Sequence, residues 1–259
     1  MGHTIVAGLP DWPAWRRVVG LLGGPRLDAK GVAGATCKAA ERRLLELQND
    51  PSLAYCFWLL VRLAGAARTE DFVAELGHLG ITARADDTAL ALVARVADQT
   101  RVRLNRYPES GPFGEMAALA LRQTLRDAVG TEGRSLFGSS LEDLERAFRR
   151  HSSSAQFGML AKGFFGDFMA RTLRYYVDRE LANAAGGDGL ANLAATADFS
   201  RAMDRHARAT AEVVREFAAG WYNPAKWEQL GQIGPDDAER FVAHALKKLR
   251  LALNRQAPR

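Results

Sequence analysis

Residues 149–183 read RRHSSSAQFGMLAKGFFGDFMARTLRYYVDRELAN, and the fold turns on what this stretch is. A membrane segment, a nucleic-acid platform, a catalytic helix and the central strut of an all-helical domain are the four readings. At 100° per residue, Gly163, Gly166, Ala170, Leu173 and Val177 fall on one stripe, while Phe157, Leu160, Phe164, Phe168 and Tyr175 fall on the far side. Apolar faces on opposite sides require neighbours on both, so the spacing predicts a central helix over 154–184. A glycine inside a helix costs about 0.8–1.0 kcal/mol relative to alanine. Gly163 and Gly166 are therefore expected to sit against the backbone of a second helix, with a kink near Gly163 as the competing explanation.

Between those stripes lie Asp167, Arg171, Arg174 and Asp178, spaced so that Asp167 reaches Arg171 and Arg174 reaches Asp178 at i,i+4. The expected role is a set of structural ion pairs. The sharper alternative is a small acid and arginine site set in a packed interior. Ser152, Ser153 and Ser154, just before the helix, read as a break and a cap, with a phosphate-contacting loop as the alternative.

Outside this stretch the chain keeps the 3.6-residue period and shows almost no strand alternation. It predicts further helices at about 12–22, 35–48, 51–66, 69–77, 86–105, 114–128, 140–150, 199–220 and 235–255. The expected fold is all-α, a compact domain of about nine or ten helices around 154–184. Start signals support the pattern. Pro51 stands in a first turn, Thr69 precedes Glu70 and Asp71, Ser140 precedes Asp143 at capping-box spacing, and Pro235 precedes Asp236 and Asp237. Gly130, the Gly186–Gly187 pair and Gly220 read as C-terminal caps. Ile81 to Arg84 reads as a short extended link. The glycine-rich stretch Val129 to Ser140 separates an N-terminal helical half, 1–130, from a C-terminal half, 140–259. Leu136 and Phe137 within it are expected to dock on a neighbour, joining the halves through a shared core.

Composition bounds the function. The 259 residues are 47% hydrophobic and 25% charged, which is enough apolar material for a real core. Lysine supplies only six of the 35 basic residues, and this Arg and Ala richness fits a GC-rich bacterial genome. Cys37 and Cys56 are expected to be reduced core residues, since neither stands in a CxxC pair and together they cannot complete a four-ligand metal site. The start MGHTIVAGLPDWPAWRR carries neither a secretory pattern nor a myristoylation motif, so a cytoplasmic protein is expected. The longest apolar run, Leu53 to Val61, is far shorter than the ~20 residues a membrane helix needs.

Catalytic motifs are missing. The sequence holds no GxxxxGK[ST], GxSxG, HExxH or DxDxDG pattern, and no strand followed by GxGxxG. His3, His78, His151, His206 and His244 are scattered, with no second His or Cys at ligand spacing, so neither a metal nor a cofactor is expected. Asp204 to Arg208, DRHAR, reads as a charged helix face.

The C-terminal segment is the stronger clue. From Arg240 to Arg259 stand six basic residues and no acidic one, more than the net +5 of the whole chain. Phe241, Val242, Ala245, Leu246, Leu249, Ala252 and Leu253 form an apolar arc, which directs Arg240, His244, Lys247, Lys248, Arg250 and Arg255 outward with Leu251 among them. This basic amphipathic helix is expected to bind nucleic acid through Arg240, Lys247, Lys248, Arg250 and Arg255, with an acidic partner, an anionic membrane surface or a merely solvated face as the alternatives. Leu251 is the candidate anchor for a protein partner or a second copy. Trp221, Tyr222 and Trp227 in the preceding GWYNPAKW are expected to anchor a turn to the core, with base stacking as the alternative. The functional expectation is a non-catalytic accessory or effector subunit in a nucleic-acid-handling or genome-defence system. The alternatives are an enzyme using the Asp167 cluster and an oligomeric helical scaffold.

Overall fold

The computed structural model describes residues 12–24, 28–84, 86–130, 140–184, 193–223 and 233–255. The helices in chain order are α1 (Trp12–Leu22), α2 (Ala29–Ala39), α3 (Glu41–Glu46), α4 (Pro51–Ala66), α5 (Phe72–His78), α6 (Ala89–Leu104), α7 (Pro112–Gly130), α8 (Leu141–His151), α9 (Ser154–Ala184), α10 (Leu193–Thr210), α11 (Glu212–Trp221) and α12 (Pro235–Asn254). Short 3-10 turns cover Leu47–Asn49 and Pro108–Ser110. The described residues contain no strand, only an isolated antiparallel bridge between Thr88 and Ser140. The protein is all-α.

The long helix α9 is central, as its opposed stripes require. From Phe164 to Ala170 every residue is buried, so no side of this turn and the next faces solvent. Helices α10 and α11 pack along one flank and α7 along another, with α8, α2, α1 and α4 adding further contacts. Phe57 of α4 ties three helices together: its ring stacks on Phe241 of α12 at 4.6 Å and meets Phe165 of α9 at 5.2 Å. Burying such a ring contributes about 1.5–3 kcal/mol, and each ring pair adds about 0.5–1.5 kcal/mol. One continuous cluster of buried apolar side chains runs from Trp15 of α1 to Leu253 of α12.

The helix glycines differ in role. A Cβ on Gly166 would lie 3.1 Å from the Arg208 Cα, and one on Gly158 would lie 2.8 Å from the Arg215 carbonyl oxygen. Those positions let α10 and α11 approach the α9 backbone. Gly163 departs from the expectation. It is exposed, and a Cβ there would meet only Thr124 of α7, at 3.7 Å, so no close backbone contact requires a glycine.

Several boundaries moved for identifiable reasons. The helix expected from residue 35 begins as α2 at Ala29, where the Asp28 carboxylate accepts the Lys30 N–H at 3.1 Å. Gly31 to Cys37 are buried on all sides, so α2 has no polar face to reveal a period. A turn at Ala40 divides it from α3. The helix expected over 199–220 is two, α10 and α11, which meet at the buried Ala211 and both lie along α9. At α5 the cap is Asp71, which accepts the Ala74 N–H at 2.9 Å; the Thr69 hydroxyl instead donates to the Ala66 carbonyl at 2.7 Å. The Ser140–Asp143 capping box is present, and Ser153 caps α9 by accepting the Gln156 N–H at 3.4 Å. Gly220 lies inside α11, which runs on to Trp221. Ile81 to Arg84 is non-helical, as expected. Leu136, Phe137, Gly186, Gly187, Trp227 and Arg259 lie outside the described residues.

Candidate nucleic-acid interface and the Asp167 cluster

Helix α12 is set by its start. Pro235 occupies the first turn, and the Gly234 N–H donates to the Asp237 carboxylate at 3.1 Å. Phe241, Val242, Ala245, Leu246, Leu249 and Leu253 are buried against α2, the Leu47–Asn49 turn, α4 and α11. That burial fixes the rotation of the helix and leaves His244, Lys247, Lys248, Leu251 and Arg255 exposed.

The expected basic face divides into unlike parts. Lys247, Lys248 and Arg255 are exposed and make no ion pair among the described residues. They surround Leu251, itself 41% exposed. Arg240 is exposed but carries its own counterion, with Nη2 at 2.6 Å from the Asp237 carboxylate one turn back. Arg250 does not point outward. Its side chain is 15% exposed and pairs with Glu41 of α3, while its carbonyl accepts from the Cys37 thiol at 3.9 Å. The wheel placed Arg250 among outward positions because it sees only α12; Glu41, 209 residues away in the chain, draws the guanidinium inward. The His244 ring stands edge-on to Phe217 at 4.8 Å.

The aromatic turn before α12 is anchored. Tyr222 is buried and stacks on Phe157 at 4.1 Å with an 18° interplanar angle. Trp221 lies 4.6 Å from Phe241. These rings join α9, α11 and α12, and Tyr222 has no open face for a base.

The Asp167 cluster forms at the crossing of α9 and α10. Asp167 is 2% exposed, with Arg171 Nε at 2.6 Å from one oxygen and Arg208 Nη2 of α10 at 2.5 Å from the other. Arg174 reaches Asp178 at 3.5 Å and Asp204 of α10 at 3.4 Å. Partial burial raises the pKa of Asp178, Arg174 opposes that, and the nearby Asp204 reinforces it. Both i,i+4 pairs therefore form, and α10 contributes a second partner to each. Asp204 and Arg208, which the sequence presents only as a charged helix face, are the α10 members of the cluster; their i,i+4 spacing points to each other, so their contacts with α9 have no local signal.

Asp167 and Arg208 also line a cleft of about 170 Å³ with Gln123, Thr124, Asp127, Met159, Lys162 and Gly163. Arg171, Arg174 and Asp178 are not part of its wall. The Lys162 ammonium pairs with Glu212 at 2.6 Å. With a guanidinium on each oxygen, the Asp167 carboxylate ties Arg171 of α9 to Arg208 of α10. Among the described residues no three His, Cys, Asp or Glu side chains gather as metal ligands, and no helix is long and apolar enough to cross a membrane.

No protein-family model, no curated protein and no solved structure matches this chain. Its class is therefore given by its own architecture: an all-α protein built around one buried helix.

Proposed function

We propose that the protein binds nucleic acid through the C-terminal half of α12, with Lys247, Lys248 and Arg255 on phosphates. The supporting observation is that these cations are exposed and free of any described carboxylate, whereas Arg240 and Arg250 on the same helix are each neutralised by one. Uncompensated cations on a rigid helix are what phosphate binding uses, because each contact releases condensed counterions. The rotation of α12 is fixed by its buried arc, so the charges are presented without reordering the backbone. No side chain on this face reads base edges in a fixed fork apart from Arg255, so sequence preference is modest.

The reading extends to an accessory or effector subunit that helps hold a nucleic-acid-handling machine, in genome maintenance or defence, on its template. The Asp167 cluster then serves as the joint between α9 and α10. The direct test is fluorescence anisotropy with a labelled duplex at low salt. Binding by the parent protein and its loss in Lys247→Gln/Lys248→Gln/Arg255→Gln supports the reading, and equal binding by that variant contradicts it.

A further inference from the structure

A second basic surface lies where α6 ends, in RVRLNRY, residues 101–107. Arg101 and Arg106 are exposed, and Arg103 is half-buried; none of the three has a carboxylate partner among the described residues. Several guanidiniums elsewhere on the surface instead meet an acid at i,i+3 or i,i+4, as in Arg146–Asp143 and Arg149–Glu145. Arg103 lies over the Tyr55 ring of α4 at 5.7 Å. Tyr55 in turn lies 5.7 Å from Trp58 at a 34° tilt, and Arg62 sits over Trp58 at 6.0 Å. The result is a row across α6 and α4, Arg103–Tyr55–Trp58–Arg62, in which both rings are partly buried against the core and partly exposed.

The two ends of the row differ. Arg62 is neutralised by Glu75 at 3.2 Å. Arg103 has only the ring beneath it and no carboxylate partner among the described residues. A guanidinium with no carboxylate beside it keeps its charge available to a phosphate. Arg106 and Tyr107 lie close enough to act on the Tyr55 phenol, whose pKa burial raises and Arg103 and Arg106 lower. Phosphate donors and aromatic rings therefore share one face.

We propose that this face binds a single-stranded nucleic acid, with Arg103 and Arg106 on the backbone and an unstacked base against the Tyr55–Trp58 rings. A duplex hides its base faces in its own stack and offers nothing to the rings, whereas a single strand presents a π-face at every base. The α12 surface needs only phosphates, so the two inferences stand or fall separately. The Trp58 indole N–H donates to the Ile233 carbonyl at 3.3 Å, which holds this ring in place just before α12.

The test uses the whole chain and a labelled oligo-dT long enough to fill a single-strand site of about 4–16 nucleotides. The expected result is that Arg103→Gln/Arg106→Gln weakens oligo-dT binding at least about tenfold, a loss that grows as salt is lowered. The same variant loses less duplex affinity than oligo-dT affinity, because a duplex offers the rings no base, and the α12 triple variant loses affinity for both forms, since α12 contacts phosphates alone. Removing one stacked base is worth about 5- to 150-fold, so Trp58→Leu falls in that range. Trp58→Phe preserves a ring, retains binding and removes the fluorescence quench that oligo-dT produces in the parent. Unchanged oligo-dT affinity in Arg103→Gln/Arg106→Gln overturns the proposal, as does an undiminished quench in Trp58→Phe. Thymidine monophosphate competing as well as the oligomer replaces the strand by a free nucleotide, and poly-glutamate competing equally removes the base from the account.

Discussion

Gly166 and Arg208 fix how closely α10 approaches α9: a Cβ on Gly166 would lie 3.1 Å from the Arg208 Cα and 3.3 Å from the Ala211 Cβ. The same approach delivers the Arg208 guanidinium to Asp167, the next residue on α9. Packing and charge pairing thus depend on one small residue.

Gly166→Leu is expected to destabilise the protein by at least about 1–3 kcal/mol, the usual range for overpacking a core. For a chain of this size each kcal/mol moves Tm by roughly 2–4 °C. Gly163→Ala is the contrast, because its Cβ would meet only Thr124 at 3.7 Å. It should hold Tm or raise it, by up to about 1 kcal/mol of helix propensity. Calorimetry on both variants decides the matter, and the opposite ordering of their Tm values would mean that Gly163, not Gly166, faces the neighbouring helix.

The Asp167 joint is expected to be non-additive. Arg171 and Arg208 side chains are a third and nearly half exposed, so solvent screening limits either single change to alanine to about 1 kcal/mol. Removing both leaves a buried carboxylate without a cation, and the double variant should lose more than the sum of the singles. Urea unfolding of the four proteins in this cycle measures the excess. Simple additivity would mean that the arginines do not share one carboxylate in solution.

Both cysteines should be silent toward thiol reagents in the native protein. Burial pushes the Cys37 thiol up to about 12, with Arg250 pulling it down and Glu41 pushing it up, and burial drives Cys56 upward as well. A raised thiol pKa keeps the proton in the folded state that the unfolded chain releases near 9.0. Stability is therefore retained below that pH and falls as pH rises from there toward about 12. Alkylation at neutral pH should modify neither thiol until denaturant is added, and then both. Rapid labelling of the native chain would place a thiol at the surface.

The legible parts of the fold were those with an exposed polar face or a chemically marked end. Helix α9 was readable because its apolar stripes leave a charged strip between them, and α4 because Asp50 and Pro51 mark its start, with Asp50 accepting the Leu53 N–H at 2.9 Å. Helix α2 was cut short because a helix of Gly, Ala and Val buried on all sides has no period to detect. The division at Ala211 was hidden because nothing in the sequence there breaks a helix; the path along α9 does. At the candidate site, the buried arc of α12 and the i,i+4 pairs on α9 were local and therefore readable. The Glu41–Arg250, Asp167–Arg208 and Tyr55–Arg103 contacts join residues far apart in sequence, and only the fold brings them together.

The central claim is that uncompensated cations on α12 bind phosphate, and the salt dependence of duplex binding tests it most directly. The parent protein should show log affinity falling linearly with log salt, with a slope of about −0.9 for each phosphate neutralised. Lys247→Gln/Lys248→Gln/Arg255→Gln should flatten that slope by up to about 0.9 per cation removed while leaving Tm unchanged, since all three side chains are exposed. Arg250→Gln should do the reverse, lowering Tm through the loss of its Glu41 pair and leaving the slope as it was. A parent protein that fails to bind duplex at low salt, or a triple variant with the parent's slope, would contradict the account.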